Sequence, residues 1–428
     1  MRHVRLDPSP RSYAPTVTLV RRSAGSADGL PTALSPDDVE TWLLGDALLE
    51  NDILALFEAL CWRLAVAGLG VDRASLHTGT LDPQVIGYGW NWSRLDGFCD
   101  EIRVAPEAVD HDSYRQTPLR RVIEGGERFR ASLADPATLS TYPFLRDLSA
   151  QGLTDYVAVP IGEGRGRHEA MTAATLRPGG FAPEALGTLA RLTRIFALHV
   201  ARHIALRVSA DVVRTYLGEE PGRRILDGSI RRGTGVSGEA VIWMSDMRGF
   251  TELSERLEPA AMLALLDAYF EVMAGAVQEA GGEVLKFIGD GLLAGFGGPD
   301  LGGREGEAKA ALAAARSALA GIERLNAEPP EALAAVDGWR PLRTGIALHR
   351  GEVFFGNVGA PDRLDFTVIG RAVNVASRVE ALCKPLDRPL LLTADVAALV
   401  GEALDDLGTH TLKGVVEPVR VFAADTHS

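Results

Sequence analysis

The chain is poor in lysine. Lys286, Lys309, Lys384 and Lys413 are the only four, and arginine supplies the rest of the positive charge. Cysteine is equally scarce. Cys61, Cys99 and Cys383 are odd in number and scattered, so they form no metal-ligand spacing and point to a reducing, cytoplasmic setting. No stretch of about eighteen or more uncharged apolar residues appears. The longest candidates, near 52–71 and 186–208, are broken by Glu, Arg and His, so no membrane span is expected. The N-terminus lacks an apolar signal core. Net positive charge is absent too: the balance is −13 and the pI about 5.3, which argues against nucleic acid as a partner.

What is present is 428 residues, enough for two or three domains with sizeable cores. The most informative stretch is Glu283–Phe296, EVLKFIGDGLLAGF. It reads as two short apolar strands joined at Gly289-Asp290-Gly291, with Asp290 at the hairpin tip. A period of two places Lys286 and Ile288 on one face and Leu285 and Phe287 on the other. One Asp in a turn is ordinary turn chemistry. A second carboxylate changes that reading. Ala240–Met244 is a buried strand by its apolar run, and Asp246 sits just past its end. The turn Met247-Arg248-Gly249-Phe250-Thr251 then opens a helix, and its free N–H groups favour a phosphate. Two carboxylates beside an anion cradle suit Mg²⁺ and a phosphoryl displacement.

SDMRGFT, KFIGDG, FTVIGRAVNVASRVE and TLKG, in that order, resemble the catalytic domain of class III nucleotidyl cyclases, over about Glu239–Phe422. The resemblance implies an α+β fold with a ferredoxin-like, palm-type βαββαβ core. It also implies a site built across a dimer with two Mg²⁺ or Mn²⁺ ions. Asp246 and Asp290 match the family's metal-binding aspartates, and the Met247 carbonyl is a further ligand. Gly249, Phe250 and Thr251 fall at the phosphate cradle. Asn374 and Arg378, four apart on one helix face, match the groups that orient the ribose and stabilise charge on the α-phosphate. Lys286 and Thr367 match the positions that read the purine. Lys is the adenylate choice at the first. At the second many adenylate cyclases carry Asp, whereas Thr occurs in a bacterial subgroup that still makes cyclic AMP. Lys413 matches the lysine on the terminal phosphates; the plainer reading is an edge-strand Lys that discourages aggregation. One chain of the dimer gives Asp246 and Asp290, and the other gives Lys286, Thr367, Asn374, Arg378 and Lys413. All seven are present here, so a homodimer carries two complete sites.

The N-terminal half carries weaker signals. Residues 1–34 mix Pro, Ser, Gly and Arg and read as a flexible segment. Ser35-Pro36-Asp37-Asp38 is a helix start. Residues 35–185 show helix, strands (73–81, 85–92, 156–161, 171–177), a variable middle and a closing helix, an order similar to a GAF-type sensory domain. A PAS-like or family-specific sensor is the alternative. Trp90, Trp92, Phe98, His111 and Tyr114 are candidates to line a pocket for an unidentified small-molecule or protein input. Residues 186–238 read as a helical connector with apolar positions spaced three and four apart, suited to a parallel dimer; the plainer reading is that this helix closes the N-terminal domain, and the two can hold for different halves. Residues 239–428 are the catalytic region: a strand at 240–245, helix 251–280 broken at Pro259, a hairpin at 283–296, helix 304–325, a hairpin at 342–358, a strand at 365–369, helix 371–383 and a final strand pair near 409–423.

The reading is an adenylate cyclase that converts ATP to cyclic AMP and pyrophosphate. Guanylate cyclase is the alternative. A diguanylate cyclase fits less well, because Gly281-Gly282-Glu283 is similar to its signature but precedes the first strand of the hairpin. A non-catalytic nucleotide-binding module is the third reading.

Overall fold

The computed structural model describes residues 6–81, 85–164, 166–228, 233–330, 333, 340–360 and 363–425. The chain divides between Val212 and Val213 into two compact units.

The N-terminal unit runs β1 (Val17–Ser23), α1 (Pro36–Leu44), α2 (Ile53–Val66), β2 (Arg73–Gly79), β3 (Gly87–Ser93) and β4 (Cys99–Val104). Short pieces follow: α3 (Asp112–Arg115), α4 (Pro118–Gly125), β5 (Phe129–Ser132), α5 (Pro136–Thr141) and α6 (Pro143–Ala150). It closes with β6 (Asp155–Gly164), β7 (Arg167–Thr175) and α7 (Pro183–Leu217). The strands form one antiparallel sheet in the order β1-β4-β3-β2-β7-β6-β5. Helix α1 starts as its sequence dictates, with Ser35 and Asp38 in a reciprocal capping box and Pro36 in the first turn. Helices α1, α2 and α7 bury Leu43, Phe57, Leu60, Leu192 and Phe196 against Leu76, Trp90 and Trp92 of the sheet. A second cluster, centred on Leu145, Leu148 and Tyr156, includes residues of α4, α6 and the β5–β6 pair.

Two expectations change here. Residues 1–34 are not flexible throughout: Val17–Ser23 is an edge strand in register with β4. Arginine pairs fasten it, Arg21 to Glu101 and Arg22 to Asp100, contacts that a Pro- and Ser-rich composition does not reveal. The connector does not begin outside the N-terminal core. Leu189, Leu192, Phe196 and Val200 of α7 are core residues, so the first half of that helix belongs to the unit it closes.

The C-terminal unit runs α8 (Glu219–Leu226), β8 (Gly235–Met247), α9 (Phe250–Ser254), α10 (Pro259–Glu279), β9 (Glu283–Ile288), β10 (Gly291–Phe296) and α11 (Gly303–Ala327). It continues β11 (Thr344–Ala360), β12 (Arg363–Ile369), α12 (Arg371–Leu382), β13 (Leu390–Thr393), α13 (Ala394–Val400), β14 (Asp405–His410) and β15 (Val419–Ala423). The sheet order is β14-β15-β13-β11-β8-β10-β9, with β12 on β11. From β8 to β11 the order of elements is the expected βαββαβ, a mixed layer of helix and sheet. Period-two alternation splits β8 between two cores. Val241, Trp243 and Met247 join the cluster under α10 and α11. Ala240 and Ile242 join the cluster that includes Ala372 and Ala376 of α12.

The expected hairpin at 342–358 is one long strand, β11, whose hairpin partner is β12. Gly351, within that strand, makes room for a helix: a Cβ there would lie 3.0 Å from Ala372 on α12. Helix α10 is also long and apolar enough, by length and composition, to cross a membrane. Asp267 and Glu271 interrupt it in sequence, and Leu265, Tyr269, Met273 and Val277 pack into the core.

Candidate active site

Asp246 lies near the end of β8, opposite Gly345 of β11, on the face that turns toward α12. A hydroxyl relay fixes its backbone: Tyr269 and Thr344 share a hydrogen bond of 2.8 Å, and Thr344 Oγ1 donates to the Asp246 carbonyl at 3.0 Å. Asp290 occupies the two-residue turn that joins Ile288 and Gly291 of β9 and β10. Gly291 is dictated by space, because a Cβ would lie 2.9 Å from the Ser245 carbonyl and 3.4 Å from Asp246 Oδ1. That close approach brings the two carboxyls together. Asp246 is pushed up to about 6, first by burial, then by the negative charge of Asp290 and a hydrogen bond with it; Arg248 opposes the rise. Mutually repelling carboxyls of this kind suit a divalent cation, which relieves the repulsion. Among the described residues no group of three or more His, Cys, Asp or Glu side chains is placed to hold a metal, so protein carboxylates alone do not complete a coordination shell.

Gly249 takes φ 79°, a left-handed turn that glycine adopts without strain, and caps α9. Leu253 is the first residue there to donate back, to the Gly249 carbonyl. The N–H groups of Phe250 and Thr251 precede it at the helix start. The intervening Arg248 leans away, its Nη2 at 3.0 Å from Glu380 Oε1 on α12. Gly345 leaves the room for it, since a Cβ would sit 2.0 Å from Arg248 Nη2. Glu380 is pushed up to about 7, mainly by burial, with Arg248 lowering it and Asp246 and Asp290 raising it.

Asn374 and Arg378 share the exposed side of α12, while Val375, Val379 and Glu380 are on its buried side. At about 100° per residue, Arg378 points about 160° and Asn374 about 120° from Glu380. The buried side of α12 thus meets the carboxylate pair, and the side bearing Asn374 and Arg378 faces away. Within one chain these groups do not converge.

Lys286 sits on β9 opposite Leu293 and is ion-paired with Asp365 of β12. Thr367 follows Asp365 by two residues on the same strand, hence on the same face. Asp365 was not legible as a site residue; the signal available was its spacing from Thr367. The strict alternation expected for β9 fails at a bulge between Leu293 and Ala294, which turns Leu285 toward the cluster that includes Leu293. Lys413 is exposed in the turn between β14 and β15, not on an edge strand.

Residues 236–414 match the family described as adenylate and guanylate cyclase catalytic domains. An adenylate cyclase of Anabaena cylindrica is 36% identical over 168 residues, 39% of this chain and 32% of that protein. An uncharacterized protein of Mycobacterium tuberculosis is 35% identical over 216 residues, 49% of this chain and 38% of that protein. The chain thus matches about a third of the length of these curated relatives. Among solved structures, the adenylyl cyclase CyaB from P. aeruginosa is 30% identical with a TM-score of 0.39, covering 45% of this chain and 96% of that one. The guanylyl cyclase Cya2 is 29% identical with a TM-score of 0.38, covering 44% and 92%.

Proposed function

Because residues 236–414 are a class III nucleotidyl cyclase catalytic domain, we propose that the chain is an adenylate cyclase whose site is shared between two copies. The observation that carries the shared site is the opposition across α12: the carboxylate pair lies under its buried side, and Asn374 and Arg378 lie on its exposed side. Exposed apolar groups near Lys286 and Thr367 support a second copy as the partner; Phe287 is 50%, Ile288 51% and Ile369 46% exposed.

In this reading the 3′-oxygen of ATP attacks the α-phosphorus, the 3′-hydroxyl proton passes to solvent, and the α-phosphorus–oxygen bond to pyrophosphate breaks as the cyclic ester closes. Asp246, Asp290 and the Met247 carbonyl would hold Mg²⁺ or Mn²⁺, two per site, which when bound supply Lewis acidity to the 3′-hydroxyl and the triphosphate. The N–H groups at Gly249, Phe250 and Thr251 cradle phosphate oxygens. From the second copy, Arg378 meets the charge that develops on the α-phosphoryl group, Asn374 orients the ribose and Lys413 binds the terminal phosphates. Lys286 donates to adenine N1, and the Thr367 hydroxyl accepts from the amino group. Lys286 at the base position and the name of the Anabaena relative favour ATP. Thr367 in place of Asp is the observation that favours the second reading, GTP to cyclic GMP. The N-terminal unit, with its antiparallel sheet and closing helix, is read as a GAF-like sensor, and α7 as its connector.

Product analysis tests the assignment. Purified protein is incubated separately with ATP and GTP, with Mg²⁺ and then Mn²⁺, beside an Asp290→Ala control. Cyclic AMP from ATP, lost in the control, is the expected result. Cyclic GMP as the main product would overturn the base assignment and leave the carboxylate roles standing.

A further inference from the structure

Strand β11 carries an open stretch of edge within the C-terminal unit. One edge of β11 pairs with β8. On the other, β13 covers Ile346–Leu348 and β12 covers Phe354–Ala360. Residues 349–353, about 17 Å of strand, lie between the two ladders and belong to neither. The backbone groups of a strand point to alternate edges. Asn357 donates to the Thr234 carbonyl and accepts from the Gly233 N–H on the β8 side, whereas the Ile346 N–H donates to Pro389 on the β13 side. Odd positions of β11 therefore face β8, and Arg350 and Glu352 turn their N–H and C=O groups into the gap. Among the described residues no backbone hydrogen bond from a neighbouring loop or helix reaches these groups.

The gap is also a half-open cavity of about 720 Å³, walled by the start of α12 on one side and by Pro418 and Val419 on another. None of the residues assigned to the nucleotide lines it. Its charges are unevenly matched. Three arginines border it and each has a partner: Arg350 with Glu239, Arg371 with Glu417, and Arg420 with Asp406. Two carboxylates on its wall do not. Glu352 is exposed and has no ion pair among the described residues, and Asp395 has only His349, at 3.8 Å. Burial pushes His349 down to about 4, so it is neutral at pH 7 and leaves the charge of Asp395 uncompensated. An open edge pairs with any extended chain that reaches it, and a gap closed by strands at both ends admits only a short one.

We infer that this gap binds a short extended segment of a partner polypeptide that carries a lysine or arginine. The backbone of the segment completes the ladder at Arg350 and Glu352, its apolar side chains pack on Pro418 and Val419, and its cation meets Glu352 and Asp395. The inference stands apart from the cyclase reading, because it uses none of the residues placed at the nucleotide.

Hydrogen exchange of the full chain, resolved to single amides by mass spectrometry, reads the edge directly. In the free protein the amides of Arg350 and Glu352 should exchange fast, and those of Gly351 and Val353, which face β8, slowly. The probe is acetyl-Thr-Val-Lys-Val-Thr-amide, a strand long enough to fill the gap. At saturation it should slow the Arg350 and Glu352 amides about tenfold or more. The same peptide with Glu in place of Lys should bind about fivefold more weakly, and Glu352→Lys should erase that preference. Ala394→Trp, at an exposed position on the cavity wall, narrows the gap and should weaken both peptides without touching the core. Slow exchange of Arg350 and Glu352 in the free protein would overturn the open edge. No protection by up to about 5 mM peptide, or equal protection by a counterpart N-methylated at every residue, would overturn the strand partner. Equal binding of the Lys and Glu peptides would overturn the basic class.

Discussion

Lys286 is ion-paired with Asp365 of its own chain, two residues short of Thr367. The ammonium assigned to the purine edge is therefore already held by a carboxylate, on the strand where many adenylate cyclases place an Asp at the position of Thr367. Both side chains are partly exposed, so the pair contributes little to stability, and its value is in orientation.

Asp365→Asn should thus leave the melting temperature nearly unchanged. It should raise KM for ATP by about two- to fivefold with a smaller effect on kcat, and narrow the preference for ATP over GTP. Steady-state kinetics with both nucleotides check this. An unchanged KM together with an unchanged ATP:GTP ratio would remove Asp365 from base recognition.

The carboxylate pair predicts a trade between stability and function. Asp246 rises to about 6, so the folded state binds its proton more tightly than the unfolded chain, whose Asp stays near 3.8. Stability from this group is therefore present below about pH 4 and is lost as pH rises through about 6. In the metal-free protein, Asp290→Asn removes the neighbouring charge. Asp246 is partly exposed, so screening holds the gain to about 1 kcal/mol or less, or about 2–4 °C in melting temperature at pH 8. The same variant should lose cyclase activity. In the wild type at sub-saturating Mn²⁺, activity should fall as pH drops through about 6, where the proton competes with the metal for Asp246, and excess Mn²⁺ should move that fall to lower pH. Thermal melts and pH–rate profiles with and without Mn²⁺ test both signs.

Arg248 and Glu380 form a half-buried pair that ties the turn after Asp246 to α12. Removing one partner leaves the other charge enclosed. Arg248→Ala should destabilise the C-terminal unit by about 3 kcal/mol, whereas Glu380→Gln leaves an Arg248 that is partly exposed and still faces the Asp246 carboxyl, and should cost about 1 kcal/mol or less. Urea unfolding followed by circular dichroism separates the two, and equal losses would show that the charge is not what matters.

Local motifs were legible where one residue type has one physical use. The tight turn at Asp290, the glycine-containing turn at Gly249, the helix start at Ser35 and the shared face of Asn374 and Arg378 all follow from residue type and spacing. What was missed depends on partners distant in sequence. Val17–Ser23 is a strand because β4 accepts it and arginines fasten it. Residues 342–358 read as a hairpin, but β11 runs straight through, and Gly351 makes room for Ala372 of α12. Leu285 faces the unexpected side because the bulge lies in the pairing with β10. Asp365 matters only through Lys286, and that contact joins positions far apart in the chain. Chemistry-bearing residues thus announced themselves by type and spacing, and the groups that position them did not.

Mixing two inactive variants tests the shared site most directly. Asp246→Ala removes a carboxylate of one half-site, and Arg378→Ala removes the phosphate-facing group of the other. Each alone should make almost no cyclic AMP. Refolded together in equal amounts, half of the dimers are mixed and each mixed dimer has one intact site, so activity should return to about a quarter of wild type. No recovery in samples shown to contain mixed dimers, or full activity of Arg378→Ala alone, would contradict a catalytic site built from two copies.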